Sequence, residues 1–197
     1  MFAKALRERL RGIVELSSAQ SEALEAHYNL MVRWNKTLNL TKIRDPSEAA
    51  ERHYLESLFL GIHLPPDRLE IADIGSGPGF PGFPVAVLRP DCEVTLIESH
   101  QRKAVFLREA SRGMNNVGVI SKRAEDVEDR FDWIISRAVS YEDLTGSILS
   151  LAPSAALLTG GEPPPANWAW QWEDALPVPG GRSRFLRLGR GPIEADS

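Results

Sequence analysis

A glycine-rich turn that follows an apolar run is the feature of this sequence that most restricts its fold. Residues 71–82 read IADIGSGPGFPG, with glycine at positions 75, 77, 79 and 82. Glycine adopts backbone angles that other residues avoid, so such a cluster suits an abrupt turn from a strand into a helix. Pro84 follows at the start of the next stretch, where a helix accepts proline in its first turn. The segment predicts a strand–loop–helix unit of an α/β protein.

Apolar runs and helical stretches alternate along the chain after this point. Predicted strands cover residues 69–74, 93–98, 117–121, 131–136 and 155–159, and predicted helices lie near 83–89, 101–114 and 141–151. This alternation predicts a parallel sheet with helices on both faces and ligands at the carboxyl ends of its strands. A last strand over 183–188 is expected to pair antiparallel with one near 174–179, after a proline-rich loop over 161–170.

The beginning of the chain has helical periodicity instead. Positions suited to burial recur at helical spacing after a candidate N-cap at Ser17 or Ser18: Leu24, His27 or Tyr28, Met31 and Trp34. Asp45 followed by Pro46 predicts a second helix start. Residues 64–67, LPPD, end the helical part. We therefore expect an N-terminal helical extension over 1–64 and a ligand-binding domain over 65–197, together in one compact unit.

Charge and cysteine content restrict the environment and the partners. The net charge of −4 argues against binding nucleic acid through bulk electrostatics. Cations outnumber acids within residues 100–140 and 182–190, which leaves open a local basic face or an ordinary solvated surface. The single cysteine, Cys92, forms no disulfide within the chain, and the N-terminus has no uninterrupted apolar stretch. We expect a soluble, cytoplasmic monomer without membrane contact.

The glycine loop and its surroundings suit a nucleoside that lacks phosphates. Pro78 and Pro81 have no N–H to offer a pyrophosphate. Glu98 ends the second strand, where an acid can accept both hydroxyls of a ribose, a feature that NAD also uses. S-adenosylmethionine has the ribose and a net positive charge, which a nearby carboxylate such as Asp73 favours. The alternatives are glycines that only form a turn and an Asp73 that only orients the loop N–H groups.

Two further strand ends point to the same edge of the sheet. The backbone of Ala124 and Glu125, after the third strand, could meet an adenine, or it could form an ordinary turn. Arg137 ends the fourth strand, where it could clamp a carboxylate, a phosphate or a guanine edge, or form a surface salt bridge. No cluster of His and Cys has the spacing of metal ligands, so no metal is expected.

Other polar residues receive structural interpretations. His53, Glu56 and Ser57 lie too close together on one helix to form a catalytic triad, and a helix-packing or loop-bracing role is expected. Asn35 and Asn39 match the glycosylation pattern, but they are expected to cap and pack a helix end near the ligand site.

Several segments together resemble a known family. RWNKTLNLTKIRDP, RHYLESL, IADIGSGPGFPGFPVAVLRPD, RKAVFLRE, RAED and FDWIISRAV occur in the order, and near the spacing, of the glucose-inhibited division protein B family. Its members are bacterial guanine-N7 methyltransferases of small-subunit ribosomal RNA. The resemblance implies a Rossmann-like seven-stranded S-adenosylmethionine methyltransferase sheet with an N-terminal helical extension. It also implies methyl transfer to N7 of one guanine in 16S ribosomal RNA, as naked RNA or within the small subunit.

The resemblance also implies roles for single residues. It places methyl-donor contacts at Gly75, Phe80, Ala124, Glu125 and Arg137 and the ribose acid at Glu98. With the loop, the candidate donor-binding residues are Asp73, Gly75, Gly77, Gly79, Phe80, Glu98, Ala124, Glu125 and Arg137. The basic bias adds candidate RNA contacts at Lys103, Lys122, Arg182 and Arg184. No catalytic residue is expected, because guanine N7 has a lone pair and no proton to remove.

The chain departs from the family pattern at a few positions. Thr159 stands where the family often has lysine, Glu56 stands where it has aspartate, and residues 161–170 are unlike the family. Other readings are a small-molecule methyltransferase on the same fold, an NAD-binding oxidoreductase and a non-catalytic ribosome-binding module.

Overall fold

The N-terminal part consists of helices whose starts follow from their capping residues. A computed structural model describes residues 1–145, 148–168, 170–180 and 183–191. The helices are α1 (Phe2–Leu10), α2 (Ser18–Leu38), α3 (Pro46–Ala49) and α4 (Glu56–His63), with a π-helical segment, Ala50–Leu55, between the last two. Ser17 and Gln20 form a reciprocal capping box, and Asp45 accepts from Glu48 N. Both predicted helix starts, at Ser17 and at Asp45, are confirmed.

Strands and helices alternate through the remaining chain, as predicted. The strands are β1 (Glu70–Ile74), β2 (Glu93–Ile97), β3 (Val117–Ile120), β4 (Trp133–Arg137), β5 (Ser154–Thr159), β6 (Gln171–Trp172), β7 (Leu176–Pro177) and β8 (Phe185–Arg190). The helices are α5 (Gly82–Leu88), α6 (Gln101–Ala110), α7 (Tyr141–Thr145) and α8 (Ile148–Leu151), with a 3₁₀ turn over Ala124–Asp126. The short β6 was not predicted, because it has only two residues and follows the proline-rich loop.

The sheet has the order β3-β2-β1-β4-β5-β8-β6, and β7 pairs with β8 beside this path. Strands β1 to β5 run parallel, whereas β8 runs antiparallel to β5, β6 and β7. The predicted parallel sheet and the predicted antiparallel last strand are both confirmed.

Successive residues of the central strands belong to different hydrophobic clusters, so the sheet is covered on both faces. Ile71 and Ile135 lie in one cluster, which contains side chains of α1, α2, α4, α5 and α6. Ala72 and Ile134 lie in the other, with residues of α7, α8 and two tryptophans. The chain leaves β1 toward the first face and β4 toward the second. A crevice therefore opens between the carboxyl ends of β1 and β4, where ligands of doubly wound sheets bind.

The N-terminal helices and the sheet contribute to the same hydrophobic cluster, for example through Leu24 and Ile71. The division of the chain at residues 64 and 65 stays a prediction. Within the described residues, no helix has both the length and the apolar character needed to cross a membrane.

Candidate active site

Backbone hydrogen bonds hold the glycine loop between β1 and α5 against the end of β2. Gly75 N and Ser76 N donate to Ile97 O of the neighbouring strand, at 3.0 and 3.1 Å. Gly75 has a φ of +70°, and a Cβ there would lie 2.7 Å from Val139 Cγ2. The loop therefore needs glycine at 75 both for its backbone angle and for its approach to the chain after β4.

Asp73, near the end of β1, holds the far end of the glycine loop through a hydrogen bond. Its side chain is fully buried, and its Oδ2 accepts from Gly82 N at 2.9 Å. A Cβ on Gly82 would lie 2.6 Å from that oxygen. Asp73 Oδ1 has no hydrogen-bond partner within the described part of the chain. Burial raises the pKa of Asp73 to about 7. This geometry matches the loop-orienting interpretation of Asp73.

Glu98 ties the loop to the end of β2. Its Oε2 accepts from Gly77 N at 2.9 Å, and its Oε1 accepts from His100 N at 2.8 Å. The residue is 6% exposed. Each carboxylate oxygen has a second lone pair, so the side chain keeps capacity for further hydrogen bonds.

A cleft of about 580 Å³ opens at the carboxyl ends of β1 to β4. Its lining consists of Ile74, Gly75, Ile97, Ser99, Lys122, Arg123, Ala124, Glu125, Val139, Glu142 and Asp143. The volume lies within the range of about 300–1,000 Å³ that is typical of small-molecule sites. The lining carries three acidic and two basic side chains, so it offers partners to both ends of a zwitterionic ligand.

The cleft contains some of the predicted residues and others that were missed. The lining includes three residues that were predicted to contact the donor, Gly75, Ala124 and Glu125. It also includes Lys122, which was predicted to contact RNA. Ser99, Val139, Glu142 and Asp143 were not predicted. Ser99 follows directly after Glu98, and the other three follow β4, so their positions at strand ends were the available signal.

Phe80 and Arg137 lie on the side of the sheet edge that faces the N-terminal helices. The ring of Phe80 is 3% exposed and stacks on His53, with centroids 4.5 Å apart and planes at 9°. Arg137 Nε donates to Glu56 Oε2 at 2.9 Å, and its Nη1 lies 2.8 Å from His53 Nδ1. The side chain of Arg137 is 11% exposed, so its ion pair is buried rather than on the surface. Arg184 contributes a second cation to Glu56, at 3.3 Å.

The partners of His53 fix its protonation. Because a guanidinium only donates, His53 Nδ1 accepts from Arg137. The proton is then on Nε2, which lies 2.9 Å from Thr41 Oγ1 and donates to it. Burial and the positive charge of Arg137 lower the pKa of His53 to about 3. Ser57 Oγ donates to His53 O at 2.6 Å. These contacts fit the expected helix-packing or loop-bracing role for His53, which stacks on the loop, and for Glu56, whereas Ser57 bonds within its own helix.

His27 braces the glycine loop from α2. Its Nε2 donates to Pro78 O at 2.9 Å, since a carbonyl only accepts, and its Nδ1 accepts from Tyr54 Oη at 2.7 Å. Burial lowers the pKa of His27 to about 4, so the ring is neutral near pH 7.

The candidate RNA contacts are dispersed. Lys103 is half-buried in the first turn of α6, Lys122 lines the cleft, and Arg184 is paired with Glu56. Arg182 lies outside the described residues. The described residues contain no group of three or more His, Cys, Asp or Glu that could hold a metal ion.

Comparison with solved structures defines the class of the fold. The chain superposes on a ribosomal protein L11 methylase from Lactobacillus delbrueckii subsp. bulgaricus with a TM-score of 0.58 at 15% identity, covering 70% of this chain and 78% of that one. It superposes on an S-adenosylmethionine-dependent methyltransferase from Aquifex aeolicus with a TM-score of 0.57 at 17% identity, covering 77% and 96%. The protein has the Rossmann-like fold of the S-adenosylmethionine-dependent methyltransferases, as the resemblance implied.

Sequence comparison then defines the family. A family model described as rRNA small subunit methyltransferase G matches residues 20–154. The ribosomal RNA small subunit methyltransferase G of Xylella fastidiosa strain M23 is 46% identical over 139 residues, which are 70% of this chain and 61% of that protein. The protein of the same description from Pseudomonas entomophila strain L48 is 38% identical over 193 residues, covering 90% and 89%. The chain belongs to this family, and the predicted resemblance is confirmed.

Proposed function

We propose that this protein transfers a methyl group from S-adenosylmethionine to N7 of a guanine in small-subunit ribosomal RNA. The observation that supports this most directly is the cleft at the carboxyl ends of β1 to β4, in a chain whose family model covers residues 20–154. The relatives' names describe an activity on the RNA of the small subunit. The family match speaks against an NAD-binding oxidoreductase and against a small-molecule methyltransferase.

The donor would lie in the cleft, held by residues from three strand ends. Gly75 offers a backbone without a side chain, and the backbone of Ala124 and Glu125 would meet the adenine. Glu98, which does not line the cleft itself but precedes Ser99 of the lining, would accept from ribose hydroxyls. Gly77 and Gly79 shape the loop through their positive φ angles. Asp73, Phe80 and Arg137 would act from behind the loop. A ribosomal RNA substrate would be met in the cytoplasm.

Alignment suffices for the transfer. S-adenosylmethionine supplies an electrophilic methyl group when bound. Guanine N7 offers a lone pair and has no proton, so no side chain has to act as a base. The two buried histidines fit this scheme, because His27 and His53 use both ring nitrogens in hydrogen bonds outside the cleft. The chain's part is to orient the reactants and exclude water.

The decisive experiment maps N7-methylguanine in the 16S ribosomal RNA of cells with and without this protein. The proposal expects one N7-methylguanine that disappears with the gene and returns when the purified protein and S-adenosylmethionine are added. An identical modification map in both strains would contradict the proposed function.

Donor binding is tested separately at Glu98. Because the carboxylate holds Gly77 N and would accept from the ribose, Glu98→Ala should weaken S-adenosylmethionine binding by about 1–3 kcal/mol. Titration calorimetry measures the dissociation constant. Glu128→Ala removes an exposed acid at the start of the loop before β4 and is the control. Equal affinities of the two variants would remove Glu98 from the donor site.

A further inference from the structure

Four exposed cations in the last turns of α2 and in the segment that follows it have no role in the site described above. Between Glu25 and Asp45 the chain has no acidic residue. Within this interval Arg33, Lys36, Lys42 and Arg44 are all exposed. We call these four side chains the α2-end cations. They concentrate positive charge in a protein whose net charge is −4.

The α2-end cations form no ion pair within the described residues. Other cations of the same helical part do form them: Arg9 pairs with Glu51, and Arg52 pairs with Glu48. Asp45, the acid next in sequence, uses its Oδ1 to accept from Glu48 N. The cations are therefore available to an anionic partner without an internal ion pair having to break.

Hydrogen bonds hold this segment at the carboxyl edge of the sheet. Asn35 Nδ2 donates to Thr41 O and Asn35 Oδ1 accepts from Thr41 N, both at 2.9 Å. Thr41 Oγ1 accepts from His53, which stacks on Phe80 of the glycine loop and accepts from Arg137 at the end of β4. The cations flank Asn35 and Thr41 in sequence, so the segment that carries them is held next to Arg137 and the glycine loop.

We propose that Arg33, Lys36, Lys42 and Arg44 form an RNA-docking surface that binds backbone phosphates of the substrate next to the active site. This inference rests on the proposed function, since it names the surface that receives the same RNA. Phosphate contacts orient a nucleic acid without reading its sequence. The hydrogen bonds of Asn35, Thr41 and His53 fix the segment before binding, which reduces the entropy cost of docking.

The test compares three variants of the full chain. In the surface variant the α2-end cations become glutamine. In the control variant Arg7, Arg11, Arg108 and Arg130 become glutamine; these are exposed cations without ion pairs among the described residues, and the charge change is the same. In the charge-retaining variant each α2-end arginine becomes lysine and each α2-end lysine becomes arginine.

Filter binding measures the affinity of each protein for 16S ribosomal RNA and for small ribosomal subunits at several salt concentrations. Each lost phosphate contact lowers the slope of log affinity against log salt by about 0.7–0.9, so the surface variant should lose about 3 in slope and at least about tenfold in affinity. The control and charge-retaining variants should bind like the wild type. All should keep the wild-type affinity for S-adenosylmethionine, which reports an intact fold.

Three outcomes would overturn the docking surface: a surface variant that binds like the wild type, equal losses in the surface and control variants, or a wild type that binds neither RNA nor subunit. Methylation is measured separately with the same proteins. If the surface variant loses RNA binding but the wild type forms no N7-methylguanine, the docking surface stands and the proposed function fails. If the wild type methylates RNA and the surface variant binds and methylates RNA equally well, only the docking surface fails.

Discussion

At the scale of single residues, the buried ion pair of Arg137 decides how the helices are fastened to the sheet edge. Glu56 is 1% exposed and accepts from both Arg137 and Arg184. Burial costs a carboxylate several kcal/mol unless cations compensate it. The sequence placed Arg137 at the end of β4 but could not show its partners, which lie more than eighty positions away along the chain.

Arg137→Ala should therefore reduce the free energy of unfolding by about 1.5–3 kcal/mol, the scale of a hydrogen bond to a charged group, because Glu56 stays buried with Arg184 as its remaining cation. Arg52→Ala is the control, since it removes an arginine from an exposed pair with Glu48 and should cost at most about 1 kcal/mol. Chemical denaturation at neutral pH measures both. Similar losses in the two variants would show that the Arg137 pair contributes no more than a surface pair.

The neutral histidines make stability depend on pH. His27 and His53 have pKa values of about 4 and about 3 in the folded protein, both below the ordinary histidine value of about 6.5. Below pH 6.5 the unfolded chain takes up protons that the folded protein does not, so stability falls as pH decreases. Asp73 acts in the opposite direction: its pKa is raised to about 7, and the stability it provides in acid is lost as pH rises through that value. Near pH 5.5 the two histidines together bind about two more protons in the unfolded chain, whereas Asp73 binds about one more in the folded protein, so stability still falls as pH decreases.

His53→Gln can keep hydrogen bonds to Arg137 and Thr41 but cannot be protonated. It should flatten the dependence of unfolding free energy on pH between about 6 and about 4.5 by about 1.4 kcal/mol per pH unit. Denaturant midpoints at a series of pH values measure the slope, and His27→Gln should flatten it by a similar amount. A slope that stays at the wild-type value in His53→Gln would contradict the neutral assignment of this ring.

At the scale of elements, the loop between β1 and α5 combines two separate demands on glycine. Gly75 has a positive φ and also lies against Val139, whereas Gly113 has a φ of +89° with open space around it. Gly113→Ala thus measures the cost of the backbone angle alone, about 1–2 kcal/mol. Gly75→Ala should cost more stability, because the new methyl group must displace Val139.

The two glycine variants should also differ in donor binding. Gly75 lines the cleft, so Gly75→Ala should weaken S-adenosylmethionine binding by at least about tenfold, or about 1.4 kcal/mol. Gly113→Ala should leave the dissociation constant unchanged in the same titration. If both variants bind the donor with the wild-type affinity, the loop at Gly75 is not part of the donor site.

Local chemistry predicted most of the elements, because their signals are local. Ser17, Asp45 and the glycines mark starts and turns, and the apolar runs gave β1 to β5 within two residues at each end. The two-residue β6 and the π-helical segment Ala50–Leu55 were missed, since neither has a periodicity of its own. The cleft was found through strand ends, whereas the His53 network depends on contacts between distant segments.

At the scale of the whole molecule, the two sides of the sheet's carboxyl edge have different functions. Residues on the cleft side of the edge would hold the donor. The side that faces the N-terminal helices braces the glycine loop through His27, His53 and Arg137. The N-terminal part of the chain also carries the α2-end cations. The N-terminal helices thus connect the proposed RNA-docking surface to the loop by a continuous series of hydrogen bonds and one ring stack.

This arrangement predicts how the rate of methyl transfer depends on pH. Guanine N7 needs no deprotonation, so the single-turnover rate at saturating donor and RNA should stay within about twofold from pH 7.5 to about 9. The range begins above the raised pKa of Asp73, which would otherwise change the charge beneath the loop. Arg137→Ala should lower the rate without changing this profile, because Arg137 positions the loop and does not transfer a proton. Folding is checked by circular dichroism at each pH. A rate that rises about tenfold per pH unit would require an essential base and a different acceptor atom.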